Sequence, residues 1–311
     1  MPIEIKVGPP VITISQGRTF MVSDPAGGVD PATAQGVYMN DTRFVSYYGL
    51  SVNNDPLKLV NSGQTTFYAS RIHLTNPAVN MENGKLAQHV LHVTLDRKVR
   101  EGSIHEDLDV ANYTGKAISF LLELTIHVDF ADIFEVRSQA IVRRGPMVTH
   151  WNEQTRYLRT SYDSRDFHRA FLYCVLDNVP VSYSNGQLVF AIHLEPNQHW
   201  HTCGEMILEQ GTQAVLPLSG CCHDVGLSSL NRLDMPDNFA AQQARWQDRC
   251  TGVLAGNNHF QRMYTQAVDD MRALRIYDMD ISEDIWVPAA GVPWFVTLFG
   301  RDSLTVSYKC M

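Results

Sequence analysis

The chain has 311 residues, with 25 Lys and Arg against 33 Asp and Glu and a formal net charge of −8. That balance excludes the basic face on which nucleic-acid binding depends, while 44% hydrophobic and 19% charged residues are enough for a large core rather than a disordered chain. No run approaches the roughly 18 apolar residues of a membrane helix, and the opening MPIEIKVGPP lacks the apolar stretch of a signal peptide, so a cytoplasmic protein is expected.

In chain order, period-two patterning dominates up to about residue 235. Leu91, Val93, Leu95 and Val99 form one alternating set, and Ile104, Leu108 and Val110 oppose Ser103, His105, Asp107 and Asp109 in the next. The clearest strand runs from Ile118 to Phe130. Ile118, Phe120, Leu122, Leu124, Ile126, Val128 and Phe130 share one face, with Ser119, Glu123, Thr125, His127 and Asp129 on the other. Leu188, Phe190, Ile192 and Leu194 make a fourth set. Turn signals separate these runs: Asn53-Asn54-Asp55-Pro56, Asn83-Gly84, Tyr113-Thr114-Gly115 and Asn185-Gly186. Long strands, short turns and no helical crossovers specify a large antiparallel β-sandwich.

From Met235 the period changes to that of helices. Asp237 is the expected cap of a helix over FAAQQARWQ. Phe260, Met263, Tyr264, Ala267, Val268, Met271 and Leu274 then follow helical spacing behind Asn257 or Asn258. The expected organisation is therefore a β-sandwich over 1–235, a helical linker over 236–256 and a helical start of a further domain over 257–311. The closing segment holds Trp294, Phe295, Leu298 and Phe299 beside Arg301 and Asp302. It has no following chain to bury it, so the chain reads as incomplete, and self-association through the exposed 294–299 segment is expected.

Other constellations point to bland roles. His199, His201 and Cys203 alternate with His193 nearby, and Cys221, Cys222 and His223 could add ligands, but the spacing is irregular. Satisfied positions on a sheet face are expected, with no metal and no cofactor. The six cysteines, which include Cys174, Cys250 and Cys310, contain no CxxC pair and read as reduced thiols. Pro25 to Asp30 (PAGGVD) lacks the GK[ST] of a phosphate loop, and no GxSxG places a nucleophile.

Three segments carry a resemblance: NDTRFVSYYGLSV (Asn40 to Val52), DFADIFEVR (Asp129 to Arg137) and AAGVPWFVTLFGRDSL (Ala289 to Leu304). With the helical VDDMRALRI (Val268 to Ile276), they resemble bacterial amylo-α-1,6-glucosidase, or glycogen-debranching-type, proteins. The resemblance implies that the first two segments belong to an N-terminal β domain. The third is similar to the opening of a glucoamylase-like catalytic toroid, an (α/α)6 arrangement of paired helices. It further implies that Arg301 and Asp302 bind hydroxyls of a terminal sugar, the guanidinium as donor and the carboxylate as acceptor, with Trp294 as an apolar platform. Packing is the plainer role for the aromatics, and an intrachain ion pair for Arg301 and Asp302.

The catalytic pair of such enzymes lies downstream of the Arg-Asp segment in the family. An inverting glycosidase needs two carboxyls about 6.5–9.5 Å apart. A twelve-helix toroid needs roughly 150 residues, and residues 240–311 are fewer than half of that. The catalytic acid and base are thus expected to be missing from this chain. Asp129, Asp132 and Glu135 are read as caps or ion-pair partners for Arg137, and Asp41 and Arg43 as a loop salt bridge. The resulting expectation is the N-terminal part of a glycoside hydrolase acting on an α-glucan or oligosaccharide, at α-1,6 linkages, without nucleic-acid or membrane partners. The alternatives are a non-catalytic carbohydrate-binding or scaffolding module and a metal-dependent β-sandwich enzyme.

Overall fold

The computed structural model describes residues 9–81, 84–142, 145–164, 167–211, 244–246, 248–277, 285–292 and 294–310. Two eight-stranded antiparallel sheets form a sandwich. The first takes β1 (Ile12–Gln16), β2 (Thr19–Ser23), β3 (Gly36–Met39), β4 (Thr42–Val52), β12 (Ile118–Asp132), β17 (Gln187–Leu194) and β16 (Ser182–Ser184) in that spatial order, with β5 (Asp55–Pro56) paired to β4. The second runs β13 (Met147–Asn152), β14 (Tyr157–Asp163), β15 (His168–Val175), β18 (His199–Gln210), β11 (Ser103–Asn112), β10 (Leu91–Arg100), β7 (Ala69–Thr75) and β6 (Lys58–Thr66). A two-stranded β8–β9 ribbon (Val79–Met81 with Gly84–Leu86) stands apart.

Alternation is what builds the core. In β10 every second residue is buried, and Leu91, Val93, Leu95 and Val99 meet Leu122, Leu124, Phe190 and Ile192 from the opposite sheet in one cluster. The hairpins close as their turn residues require. Asn40 and Asp41 (φ 46° and 59°), Asn53 and Asn54 (49° and 67°) and Asn185 and Gly186 (50° and 84°) all place two consecutive residues at positive φ. Their twist matches that of the paired strands.

Two buried features sit outside the simple pattern. Glu106 lies on the apolar side of β11, where its carboxylate accepts from Arg97 Nε at 2.7 Å. The Arg97 guanidinium lies 4.3 Å from the Tyr48 ring centroid and donates to the Gly27 carbonyl. Gly27 is at φ +81°, and a Cβ there would come within 2.8 Å of Ile72 Cδ1. The PAGGVD segment is therefore a close-packed turn that accepts an arginine. Second, β11 is buried on both faces, so the polar set Ser103, His105 and Asp107, expected on a half-exposed strand, lies inside the molecule.

Beyond the sandwich, helix α2 (Asn258–Ala273) begins where its cap predicts, with Asn257 accepting from the His259 and Phe260 amides. A β19–β20 hairpin (Arg275–Tyr277 with Trp286–Pro288) and a closing helix, α3 (Gly300–Cys310), follow. Arg275 lies over Trp246 and Trp286, and Arg272 over Phe67 of the sandwich. The expected boundary at 235 and the cap at Asp237 fall outside the described residues.

Candidate functional site

The three segments that carry the resemblance come together on the outer side of the first sheet. The Asn40-Asp41 turn joins β3 to β4, and β4 pairs with the end of β12, Thr42 opposite Asp132 and Arg43 opposite Ala131. The register slips between Val128 and Ala131, where Phe130 adopts φ 52°. This bulge breaks the alternation of the strongest strand. It leaves Asp129 buried beside Arg43, with Arg43 Nη2 and Nε donating to Asp129 Oδ2 at 2.5 and 3.0 Å. Both side chains are nearly inaccessible, 2% and 8% exposed. Asp41, expected as the partner of Arg43, is instead an exposed turn residue whose carbonyl accepts from the Ile133 amide. The bulge, invisible to a period-two pattern, exchanges one carboxylate for the other.

After the bulge, Asp132 caps a short helix, α1 (Ile133–Ser138). Its carboxylate accepts from the Phe134 and Glu135 amides at 2.8 and 2.9 Å, and Glu135 accepts in return from the Asp132 amide. This is a capping box. Arg137 is exposed in the last turn. Asp129, Asp132, Glu135, Tyr162 and Arg169 line a cavity of about 80 Å³, far below the roughly 300 Å³ of a small-molecule pocket. Burial lowers the Arg169 guanidinium from its ordinary value against the pull of Asp132 and Glu135. The DFADIFE carboxylates are thus spent on an ion pair and a helix cap.

The third segment closes over this corner. Phe20 and Tyr38 stack with ring centroids 4.7 Å apart, and with Val22, Ala131 and Val136 they form a small apolar cluster on the face turned away from the main core. Val292, Trp294 and Val296 pack onto it. Gly291 and Phe295 exchange two backbone hydrogen bonds that fold the segment on itself. Ser303 is buried and donates to the Pro288 carbonyl, which anchors α3 to the β19–β20 hairpin. Trp294 is half-buried against the cluster, Arg301 is exposed and Asp302 is half-buried in the first turn of α3. Burial, offset by Arg43, raises the Tyr38 hydroxyl to about 12, and that hydroxyl donates to the Ala34 carbonyl.

Residues 14–205, more than half of the chain, match the family described as the N-terminal domain of (some) glycogen debranching enzymes. The chain belongs to this family. Two of the converging segments, those around Arg43 and Asp129, lie inside the matched region, and the segment around Trp294 lies beyond it. Among solved structures, a putative kojibiose phosphorylase from the human microbiome shares the fold at TM-score 0.53 and 8% identity, over 85% of this chain and 39% of its own. This chain thus spans about two fifths of that protein's length. Looser likenesses include heparan sulfate lyase HepC from Pedobacter heparinus (TM-score 0.41, 10% identity, 66% of this chain and 36% of that one). A galactose mutarotase-like protein from Lactobacillus casei ATCC 334 gives a TM-score of 0.40 at 8% identity, over 64% and 100% of the two chains. No curated protein matches the sequence.

The debranching-enzyme N-terminal domain also sorts the histidines. His193 lies on β17 of the first sheet, with Nδ1 against Ser119 Oγ at 2.7 Å. His199 packs edge-on to Tyr113. His201 and Cys203 instead face His105 and Asp107 of the neighbouring β11, with Asp177 from the turn after β15. Burial works against the Asp107 carboxylate, but the hydrogen bond and charge of His105 and the charges of His201 and Lys98 outweigh it and hold its pKa below the ordinary value. Burial likewise works against the His201 cation, and the carboxylates of Asp109, Asp107 and Asp177 outweigh it and raise its pKa. Histidine and cysteine spacing did not point to His105, Asp107, Asp109 or Asp177. For the three β11 residues the signal was the alternating polar set, which reads equally well as a solvated face, while Asp177, beyond β15, stands in no pattern at all. Cys221, Cys222 and His223 lie outside the described residues.

Proposed function

We propose that this chain is the β-sandwich part of a glycoside hydrolase acting on α-glucans at α-1,6 linkages, and that the sandwich buttresses the segment bearing the sugar-binding residues. The observation that carries this reading is the convergence at one corner of three segments far apart in sequence. The buried Arg43–Asp129 pair and the capped α1 fix the corner, and Trp294 seats the third segment on it. Arg301 and Asp302, in the first turn of α3, hold hydroxyls of the terminal glucose, with Trp294 beneath the ring. The catalytic acid and base are not among these residues, because the nearest carboxylates already serve as ion-pair partner and cap. The division at 235 and 256, a cytoplasmic setting and a cofactor-independent reaction complete the reading. Among the described residues no helix is long and apolar enough to cross a membrane.

The test is a pair of measurements on the purified chain, glucose release from α-1,6- and α-1,4-linked oligosaccharides and binding of the same sugars by NMR titration. No release is expected, with weak binding that Arg301→Ala and Asp302→Ala each abolish. Release at enzymatic rates overturns the absence of the catalytic pair. Binding that both variants leave unchanged overturns the assignment of the sugar site.

A further inference from the structure

On the outer face of the second sheet, β11 and β18 bring histidine, cysteine and aspartate side chains together with Asp177 from the turn after β15. Cys203 is wholly buried, Asp107 and His105 nearly so, and His201 and Asp177 are about one-fifth exposed. Cys203 Sγ, with His105 and Asp107 on one side and with Asp177 and His201 on the other, forms two triads of donor atoms. Within each triad all donors lie within 4.8 Å of one another.

The orientation of His201 is the informative part. Its Nδ1 lies 3.0 Å from Asp109 Oδ1. Its Nε2 is turned toward two carboxylates, 3.9 Å from Asp107 Oδ1 and 3.9 Å from Asp177 Oδ2. Those separations exceed hydrogen-bond length. A ring lone pair facing two carboxylates is repulsive unless a positive charge lies between them, either a second ring proton or a metal ion.

Donor-to-metal distances of about 2.0–2.3 Å place neighbouring ligands of a tetrahedral ion about 3.3–3.8 Å apart. Cys203 Sγ to Asp177 Oδ1 is 3.7 Å, and the two His201 separations are one short adjustment longer. Two outer contacts complete the pattern. Asp109 orients His201, as a carboxylate orients a metal-binding imidazole, and His105 Nε2 lies 3.4 Å from Asp107. Asp177 Oδ2 also accepts from the Cys203 amide at 2.9 Å, which holds the carboxylate with Oδ1 toward Cys203 Sγ.

We propose that His201 Nε2, Cys203 Sγ, Asp107 and Asp177 form a zinc site that ties β11, β18 and the turn after β15 into one unit, with Asp109 and His105 as positioning residues. The nitrogen, sulfur and carboxylate donors suit zinc or a similar borderline ion rather than calcium or magnesium, which take oxygen ligands. Four protein ligands close the tetrahedron and leave no open position, as in structural rather than catalytic sites. Binding releases the Cys203 thiol proton to solvent and the second proton of His201 where the ring carries one. This site lies on the sheet opposite the Arg43–Asp129 corner, and it stands or falls independently of the sugar-binding reading.

The experiment uses the full chain stripped with a chelator and then titrated with Zn²⁺ and, in parallel, Co²⁺. One tightly bound zinc per chain is expected, together with a thiolate-to-cobalt charge-transfer band that Zn²⁺ displaces and a higher melting temperature with zinc. Cys203→Ser should remove the band and Cys174→Ser should keep it. Asp109→Asn should weaken zinc binding by about 10- to 100-fold, because it loosens the imidazole without removing a ligand. Circular dichroism checks the fold of each variant, and if Cys203→Ser does not fold, the zinc-displaced band and the Asp109→Asn affinity decide. The absence of stoichiometric zinc binding means that a proton alone occupies the site and overturns the proposal. So does a cobalt band that survives in folded Cys203→Ser, since other cysteines would then supply it.

Discussion

Arg43 and Asp129 show how much one side chain can hold at a bulged strand end. Removing one partner of a buried ion pair leaves the other charge desolvated, which costs about 3–5 kcal/mol. Asp129→Ala should therefore lower the denaturant midpoint by that amount of stability, with little change in slope, in urea unfolding. A loss below about 1 kcal/mol, the range of exposed pairs, would show that Arg43 finds water or another acceptor. A gentler residue-scale effect belongs to His92 on β10, whose ring stacks on His73 and lies near Tyr113. Burial and the His73 charge lower its pKa below the ordinary 6.5. Below that value the unfolded chain binds the proton and the folded chain resists it, so stability should fall as pH drops from about 6.5 through the folded pKa. His92→Gln should flatten this part of the stability–pH curve, and an unchanged slope would assign it to other groups. The residue-scale roles were the least legible in the sequence. Asp41, two positions from Arg43, was the natural partner, and only the φ of Phe130 substitutes Asp129.

Elements were legible where their period was strict. The alternation from Ile118 to Ile126 and the Asn-rich turns translate directly into β12 and the type I′ hairpins, because burial on one face and positive φ each demand particular residue types. The Asn257 cap and the 3.6-residue stripe likewise specify α2. Legibility fails where tertiary context decides. DFADIFE carries a strand pattern into a helix six residues long, which no propensity would support alone. The capping box and the burial of Ile133 and Val136 sustain α1. Asp132→Ala should accordingly cost about 0.5–2 kcal/mol, the usual value of an N-cap, and raise amide exchange at Phe134 and Glu135 well before the neighbouring β12 amides respond. Uniform exchange across both elements would show that α1 and the sheet open together. The burial of the polar face of β11 was equally hidden, since Ser103, His105 and Asp107 read as a solvated face until β18 and Asp177 are laid against them.

At the scale of the whole molecule, the described residues give the sandwich one interior and one dressed exterior corner, while the helical part presents apolar surface outward. Phe260 and Met263 of α2 are 53% and 59% exposed, and Leu298, Leu304 and Tyr308 around α3 are 62%, 72% and 78% exposed. Trp294, by contrast, is seated on Phe20, Tyr38 and Val136, so the adhesive strip begins beyond it rather than at it. Apolar side chains this exposed along two helices favour contact with a second copy of the chain, since burying one leucine contributes about 1.5–3 kcal/mol. Sedimentation velocity across a concentration series should therefore show reversible association. Leu298→Glu and Leu304→Glu should each weaken it by about tenfold or more, because a tenfold change in affinity corresponds to about 1.4 kcal/mol. Trp294→Ala should act on a different observable. It opens part of the Phe20–Tyr38 cluster and should cost about 1–2 kcal/mol of stability, less than a fully buried aromatic, while leaving the association constant nearly unchanged. If Trp294→Ala instead abolishes association and spares stability, the segment does not rest on the sandwich in solution, and the corner at Arg43 and Asp129 loses its role as a buttress.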